Sequence, residues 1–263
     1  MDTFFAIARR SWQRYLTYRA ATIAGFITNF IFGIMRVSIL LALYGDRTSV
    51  EGYTISGILT YTALSQAIIA YLSFFGWFAL ADSIYNGDIA VDLLKPIPLF
   101  RLWLAQDLGR ALVNLLLRGV TILICYALIF DLTFPTTLPH IALISFTLII
   151  SWLLSFMWRF LINLTALWSP NARGFIRFGF VISWFASGFM MPLRFFPPWL
   201  QQILYLTPFP HLLNSVVEVY LGLLTGPDLY LILAQQIAWC LGLYLIIHLT
   251  LQRGIRRLVI LGG

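Results

Sequence analysis

Long stretches without charged residues constrain this chain more than any other feature. Residues 52–81 contain no Asp, Glu, Lys or Arg, and similar apolar stretches recur between residues 20 and 250. A helix needs about 20 apolar residues to cross a bilayer core of about 30 Å. Of the 263 residues, 60% are hydrophobic and 10% are charged, which leaves too little polar surface for a soluble enzyme or a disordered tail. The sequence therefore predicts an all-α membrane protein with several spans.

Polar loops divide the apolar stretches into six predicted spans. Residues 192–221 are apolar but have prolines at 197, 198, 208 and 210, and an internal proline removes a helical hydrogen bond and clashes with the preceding turn. We expect two re-entrant half-helices there, about 197–206 and 209–221, covered by protein or by a watery cavity. The six spans are predicted at about 20–44, within 52–81, and at about 111–130, 140–168, 175–191 and 229–250.

Residues 1–19 are predicted to form an amphipathic helix ahead of the first span. Its two faces differ sharply in polarity, as expected for a helix that lies flat in the membrane interface. The apolar face comprises Phe4, Phe5, Ala8, Trp12, Tyr15 and Leu16, and the polar face comprises Asp2, Arg9, Arg10, Gln13, Arg14 and Thr17.

The basic residues indicate how the chain is oriented. Arg47 and Arg194 fall on one side of the predicted topology, whereas twelve of the 17 basic residues fall on the other. An excess of Lys and Arg marks the cytoplasmic side, so both termini are predicted to be cytoplasmic, in a multi-pass protein of the plasma membrane (the inner membrane of a bacterium). Contact of these basic residues with anionic lipid explains the net charge of +7 better than binding to nucleic acid does. The twelve are Arg9, Arg10, Arg14, Arg19, Lys95, Arg101, Arg110, Arg173, Arg177, Arg253, Arg256 and Arg257.

Three arginines fall inside predicted spans, where an uncompensated charge is costly. Each has an asparagine on its own helical face, so we expect the three pairs to face the bundle or a translocation path. Two of the arginines, Arg118 and Arg159, could instead extend to the cytoplasmic surface. Because no acid is expected in the spans to pair with them, an anionic group of a lipid or substrate is the predicted partner. The pairs are Asn29 with Arg36, Asn114 with Arg118, and Asn163 with Arg159.

Motifs for catalysis or ion coupling do not occur in the sequence. The sole lysine, Lys95, lies outside any phosphate-binding loop, and His and Cys residues show no metal-ligand spacing. All ten acids are assigned to loops, span ends or the proline-rich region, whereas ion-coupled transporters need a buried acid. We therefore expect no catalytic residue, metal or cofactor on this chain, and an energy source in another subunit.

The 82–110 loop is the longest polar segment. Asp88 is predicted to begin a short helix by accepting hydrogen bonds from free backbone N–H groups, and the helix should end before Pro96. Its apolar side chains are expected to face a protein partner, although packing back on the bundle would also explain them. These side chains are Ile89, Val91, Leu93 and Leu94.

This loop carries a family resemblance. Residues 87–97, Gly-Asp-Ile-Ala-Val-Asp-Leu-Leu-Lys-Pro-Ile, resemble the signature of ABC-type 2 permeases, the membrane subunits of ABC exporters. The order of elements is similar over the whole chain, which would make residues 1–263 one transmembrane permease domain. The resemblance implies that the loop and the N-terminal helix contact a separate cytoplasmic ATPase, which binds ATP and Mg²⁺. The implied coupling residues are Gly87, Asp88, Ile89, Asp92, Leu93, Leu94, Lys95 and Pro96.

The resemblance further implies a homodimer or heterodimer of permeases, because six spans form half of the pathway, and an outer gate in the re-entrant region. Phe195, Phe196, Trp199 and Glu218 are the candidate gate residues, although an aromatic belt at the membrane surface would equally explain the aromatic ones. The alternative functions are a secondary transporter and a membrane-embedded lipid-modifying enzyme. Both would require acid or His/Cys clusters that the sequence does not show, and the cargo class is not indicated.

Overall fold

A computed structural model of the protein describes residues 3–256, which form twelve α-helices and one two-stranded antiparallel hairpin. Asp2 of the predicted amphipathic helix and Arg257 of the predicted cytoplasmic side lie outside these residues. The elements are α1 (Thr3–Thr17), α2 (Arg19–Tyr44), β1 (Ser49–Val50), β2 (Tyr53–Thr54), α3 (Ile55–Leu72), α4 (Ala79–Tyr85), α5 (Ile89–Leu93), α6 (Leu99–Asn114), α7 (Thr121–Ile129), α8 (Leu138–Asn163), α9 (Ala172–Ala186), α10 (Pro198–Tyr205), α11 (Asn214–Tyr220) and α12 (Gly226–Ile255).

Five helical stretches within residues 3–256 are long and apolar enough to cross a membrane. Residues 3–256 are 78% helical, and the protein is thus a multi-pass, essentially all-α membrane protein. A π-helical segment, Leu115–Val120, joins α6 to α7, and a 3-10 turn, Leu164–Leu167, extends α8. The five stretches are Arg19–Tyr44, Ile55–Leu72, Leu99–Ile129, Leu138–Leu167 and Gly226–Ile255.

Two predicted spans differ from the helices observed. The third span is expected to begin at residue 111, but it continues a helix that begins at Leu99. The helix can include Asp107 and Arg110 because these two charged side chains pair inside the bundle and need no exposure to water. The 82–110 segment is therefore largely helical. The fifth, expected at 175–191, is the 15-residue α9, which at 1.5 Å per residue is about 23 Å long and shorter than a bilayer core.

Helix α3 lies at the centre of the bundle, and almost all of its residues are buried. Its first turn is capped by the Thr54 hydroxyl, which accepts a hydrogen bond from the Gly57 N–H at 3.0 Å. A single stripe of α2 faces it, where Gly33 leaves space for the side chains of Gln66 and Tyr126. The stripe comprises Asn29, Gly33, Val37, Leu40 and Tyr44, and the opposite face of α2 exposes Ile23, Ile27, Ile31, Met35, Ile39 and Leu43.

Helix α1 packs across α6 through small residues. Gly109 of α6 lies so close to α1 that a Cβ there would lie 2.7 Å from the Trp12 backbone nitrogen. The Ser11 hydroxyl donates a hydrogen bond to the Gln106 carbonyl at 2.6 Å. The arginines of α1 stay exposed, so the predicted division into an apolar and a basic face is observed, with the apolar face directed largely at α6.

The loops collect at two ends of the bundle. One end, called the basic end here, carries Arg253 and Arg256, which share a cleft with Trp168. At this end α1 packs on α6, and the Tyr85 hydroxyl donates to the Ser169 carbonyl at 3.0 Å. At the opposite hairpin end, β1–β2 lies against Arg194 and Glu218. There His140, at the start of α8, contacts the carbonyl of Val219 at 2.7 Å.

Candidate functional site

Residues 91–94, at the end of α5 and just after it, form a tip that carries exposed apolar side chains. Val91 and Leu94 are 61% and 86% exposed, and Leu93 is 36% exposed. Exposed apolar groups of this kind are available for contact with another molecule. The expectation that Ile89 belongs to this surface is wrong. Its side chain is 1% exposed and packs into the core, where it holds α5 against the bundle.

Backbone geometry sets the position of this tip. Gly87 has a φ of 79°, in the left-handed region that favours glycine. Asp88 precedes α5 as predicted, but its side chain makes no cap hydrogen bond. Its backbone is helical, whereas a capping residue is usually extended and so aims its oxygen at the free N–H groups. Lys95 Nζ donates to Asp92 Oδ1 at 2.7 Å, and the chain leaves the helix just before Pro96.

Side-chain contacts tie α4 to the neighbouring helices. Asn163 of α8 accepts a hydrogen bond from the Ala81 N–H at 3.1 Å and donates to the Trp77 carbonyl at 2.9 Å. The Tyr85 hydroxyl accepts from the Ala172 N–H, and Arg173 pairs with Asp82 at 2.8 Å. A displacement of α4 therefore acts directly on the end of α8 and the start of α9.

A buried ion cluster, formed by Asp107, Arg110 and Arg159, joins three helices. Asp107 of α6 accepts hydrogen bonds from Arg110 Nε at 2.9 Å, and from Arg159 Nη1 and Nη2 at 3.0 and 2.9 Å. Trp152 Nε1 adds a fourth at 2.9 Å. Arg110 also donates to the Tyr71 carbonyl at the end of α3. All three charged side chains are buried, so the cluster fixes α3, α6 and α8 to one another.

The expectation that no acid is available to pair with Arg159 is therefore wrong. Asp107 was assigned to a polar loop because its neighbourhood contains several charges, but it lies within a long helix. A sequence signal exists, because Asp107 and Arg110 stand three residues apart and would therefore fall on one face of a helix. The hydrogen-bonding groups of Arg159 and Asn163 are engaged within the protein.

Arg36 and Asn29 lie at the contact between α2 and α3. Arg36 Nη2 donates to Ser65 Oγ at 3.4 Å, and the guanidinium lies over the rings of Tyr61 and Phe189, 5.8 and 5.3 Å from their centroids. Asn29 Nδ2 contacts the Gln66 carbonyl at 3.5 Å. Within residues 3–256, Arg36 Nε and Nη1 are buried without a hydrogen-bond partner.

Asn114 and Arg118 line a cavity of about 590 Å³ at the basic end. Arg118 belongs to the π-helical segment, and its guanidinium lies against Gly25 of α2. The three predicted Asn–Arg pairs thus lie in three separate environments: one at a helix contact, one at a cavity and one in the ion cluster.

Glu218 is the centre of a hydrogen-bond network at the hairpin end. Its carboxylate accepts from Arg194 Nε at 2.6 Å and from the hydroxyls of Tyr53 and Tyr205 at 3.3 and 3.1 Å. Burial alone would lower the pKa of Arg194, but the Glu218 charge raises it above its usual value. Burial, reinforced by Glu218, raises the pKa of Tyr53. The network ties the hairpin to α10 and α11.

The aromatic residues proposed for an outer gate occupy different environments. Phe195 meets the ring of Tyr53 edge-on at a centroid distance of 5.8 Å, and Phe196 packs on Phe185 at 5.2 Å. Trp199 is exposed. Phe195 and Phe196 thus contribute to packing between elements, whereas Trp199 is free to contact lipid, a second chain or cargo.

Comparison with known families agrees with the arrangement of helices. A family model described as ABC-2 family transporter protein matches residues 30–262, a range that includes the tip of α5, the ion cluster and the Glu218 network. No curated protein matches the chain. Members of this family are membrane permease components of ABC transporters, which associate with an ATP-binding-cassette ATPase. Because the match covers most of its length, the chain belongs to the ABC-2 transporter family.

Proposed function

We propose that this chain is the permease subunit of an ABC exporter, which moves its substrate outward from the cytoplasm or from the inner leaflet. In this proposal a separate ATPase subunit binds ATP and Mg²⁺, and this chain supplies the pathway without catalysing a reaction. The observation that carries the proposal is the exposed apolar tip formed by Val91, Leu93 and Leu94 in a member of a permease family.

The tip acts as the coupling element. It contacts the ATPase together with the N-terminal helix, which approaches the same end of the bundle by packing on α6. Gly87 and Pro96 set its boundaries, the Asp92–Lys95 pair stiffens it, and Ile89 anchors it. Asn163 and Tyr85 then transmit a displacement of the tip to α8 and α9.

The proposed topology has six crossings, with both termini in the cytoplasm of a bacterial cell and the basic end facing inward. Contacts support this count. The chain leaves the basic end at Ala172, beside Tyr85, and reaches the hairpin end at Arg194, beside Glu218, so α9 and the residues after it make a crossing that is too irregular for one long helix. Residues 192–221 are proposed to re-enter. Phe209 lies on Trp158 of α8 at 4.9 Å, whereas Glu218 has returned to the hairpin end.

A complete transporter is proposed to contain two permeases. The outward faces of α2 and α9 carry exposed apolar side chains, among them Ile31, Met35 and Phe178, which a second permease or lipid would cover. The pathway would pass the polar groups of Arg36 and Asn29 and end at the Glu218 network, with Phe195, Phe196 and Trp199 at the exit.

The test is the Leu93→Asp, Leu94→Asp double variant, co-purified with the ATPase subunit from the native membrane. We expect loss of ATPase association and of ATPase stimulation, because two buried carboxylates would have no partner in the interface. Asn171→Asp is the matched control, since it adds an acid at an exposed position of the same end. Retention of a stimulated ATPase by the double variant would remove the coupling role of this tip.

A further inference from the structure

The cavity at the basic end is a built site without an assigned ligand. It lies between the end of α1, the start of α2, the residues that follow α3, and α6. Its volume of about 590 Å³ is within the usual range for sites that hold small molecules. Polar and aromatic side chains alternate on its walls, namely Arg14, Arg110, Arg118, Asn114, Tyr18 and Trp77.

The walls of the cavity carry a net positive charge. Three arginines line the cavity, and no carboxylate does so within the described residues. The nearest acid in the ion cluster, Asp107, is already bound by Arg110, Arg159 and Trp152. Arg118, which is partly buried, therefore lacks a carboxylate partner in the cavity, and the exposed Arg14 adds a second positive charge to its wall.

Arg118 is held in place for a ligand. The absent side chain of Gly25 makes room for its guanidinium, since a Cβ at Gly25 would lie 2.6 Å from Arg118 Cζ. Its Nε is buried and has no hydrogen-bond partner in residues 3–256. A π-helical turn supports the residue, and such turns are frequent at functional sites.

We propose that this cavity binds a phosphate group, supplied by the headgroup of an anionic phospholipid in the adjacent leaflet or by a free phosphate anion. Guanidinium groups bind phosphate oxygens through paired, charge-assisted hydrogen bonds. The exposed arginines of α1 lie beside the cavity, and in the proposal they face lipid headgroups. The exposed apolar face of α2 starts at the cavity with Ile23 and Ile27, which is where acyl chains would lie. The proposal does not depend on ATP-driven transport.

The first experiment uses the unaltered protein in detergent and follows lipid binding by native mass spectrometry, with intrinsic tryptophan fluorescence as a second signal. Short-chain phosphatidylglycerol is titrated against phosphatidylcholine of equal chain length, and inorganic phosphate is added as competitor. We expect phosphatidylglycerol to bind roughly tenfold or more tightly than phosphatidylcholine, because the choline group cancels the net charge. Competition by millimolar phosphate would assign the site to a free anion, and its absence would assign it to lipid.

The second experiment tests the residues. Arg118→Gln should weaken phosphatidylglycerol binding roughly tenfold or more, the usual range for a lost charge-assisted hydrogen bond, whereas Arg47→Gln at the hairpin end should leave it unchanged. Gly25→Ala should weaken binding by displacing the guanidinium. Gly242→Ala, where a Cβ meets open space, is its control. Equal binding of the two lipids together with no binding of inorganic phosphate, or binding that survives both Arg118→Gln and Gly25→Ala, would overturn the proposal.

Discussion

Replacing Asp107 with asparagine tests whether the ion cluster holds the helices together. The carboxylate accepts four hydrogen bonds, three of them from arginines, and both arginines are nearly inaccessible, with exposures of 5% for Arg110 and 2% for Arg159. Asparagine has the same shape but no charge and one carbonyl oxygen. Two buried cations would then lack a counter-charge. Removing one partner of a buried pair costs about 3–5 kcal/mol, and we expect the unfolding free energy of Asp107→Asn to fall by that amount.

The matched control is Asp92→Asn, which breaks the Asp92–Lys95 pair at a site where the lysine side chain is 43% exposed. Exposed pairs contribute about 0–1 kcal/mol. Both variants are unfolded in mixed micelles by increasing denaturing detergent, with tryptophan fluorescence as the signal. A loss of stability in Asp107→Asn no larger than that in Asp92→Asn would refute the role assigned to the cluster.

A second comparison separates charge from shape. In Asp107→Asn, the added change Arg159→Met removes one of the uncompensated cations and keeps a side chain of similar length. We expect the double variant to be more stable than Asp107→Asn alone, because contacting residues do not contribute additively. Equal or lower stability would show that the arginine contributes through contacts other than its charge.

Three further predictions concern other contacts. Glu218→Gln should lower the unfolding free energy by about 1–3 kcal/mol by leaving Arg194 without its partner, whereas Glu51→Gln, at an exposed position, should change it little in the same assay. Gly109→Ala should loosen α1 from α6, because a Cβ at this position meets the α1 backbone. Trypsin should then cleave the variant at Arg10 and Arg14 faster than it cleaves the control variant Gly242→Ala. Equal cleavage rates would contradict this packing. Folding raises the pKa of Tyr53, so the unfolded chain releases this proton at a lower pH than the folded protein does. The contribution of Tyr53 to the unfolding free energy is therefore present below pH about 10 and is lost as the pH rises above it. Tyr53→Phe should make the alkaline fall of the unfolding free energy less steep, and an unchanged slope would exclude Tyr53 as its source.

Much of the architecture could be predicted because hydrophobicity and proline placement act locally. Apolar stretches long enough to cross a bilayer identified α2, α3, α8 and α12 to within several residues at most of their ends. The prolines between 197 and 210 correctly indicated that residues 192–221 form short helices. The glycine at 87 and the proline at 96 bounded the α5 segment, because their backbone restrictions operate whatever surrounds them.

The errors about Asp107, Arg159 and Ile89 share one physical origin, because the exposure of a residue depends on partners that the neighbouring sequence does not show. Asp107 looked like a loop residue, and Arg159 looked unpaired, because their partners lie 52 residues apart on different helices. Ile89 looked like a surface residue for the corresponding reason, since the core that buries it comes from other elements.

The sequence by itself determined that this chain inhabits a membrane, roughly where it crosses, and which polar segment carries apolar side chains, because those properties depend on the polarity of contiguous residues. Tertiary structure alone decided which charges neutralise one another. It buried Asp107 between two arginines and surrounded Glu218 with Arg194 and two tyrosines. It also left Arg118 beside an open cavity with an unmet donor, because a charge in a low-dielectric interior is stabilised by groups that only folding brings within hydrogen-bond distance.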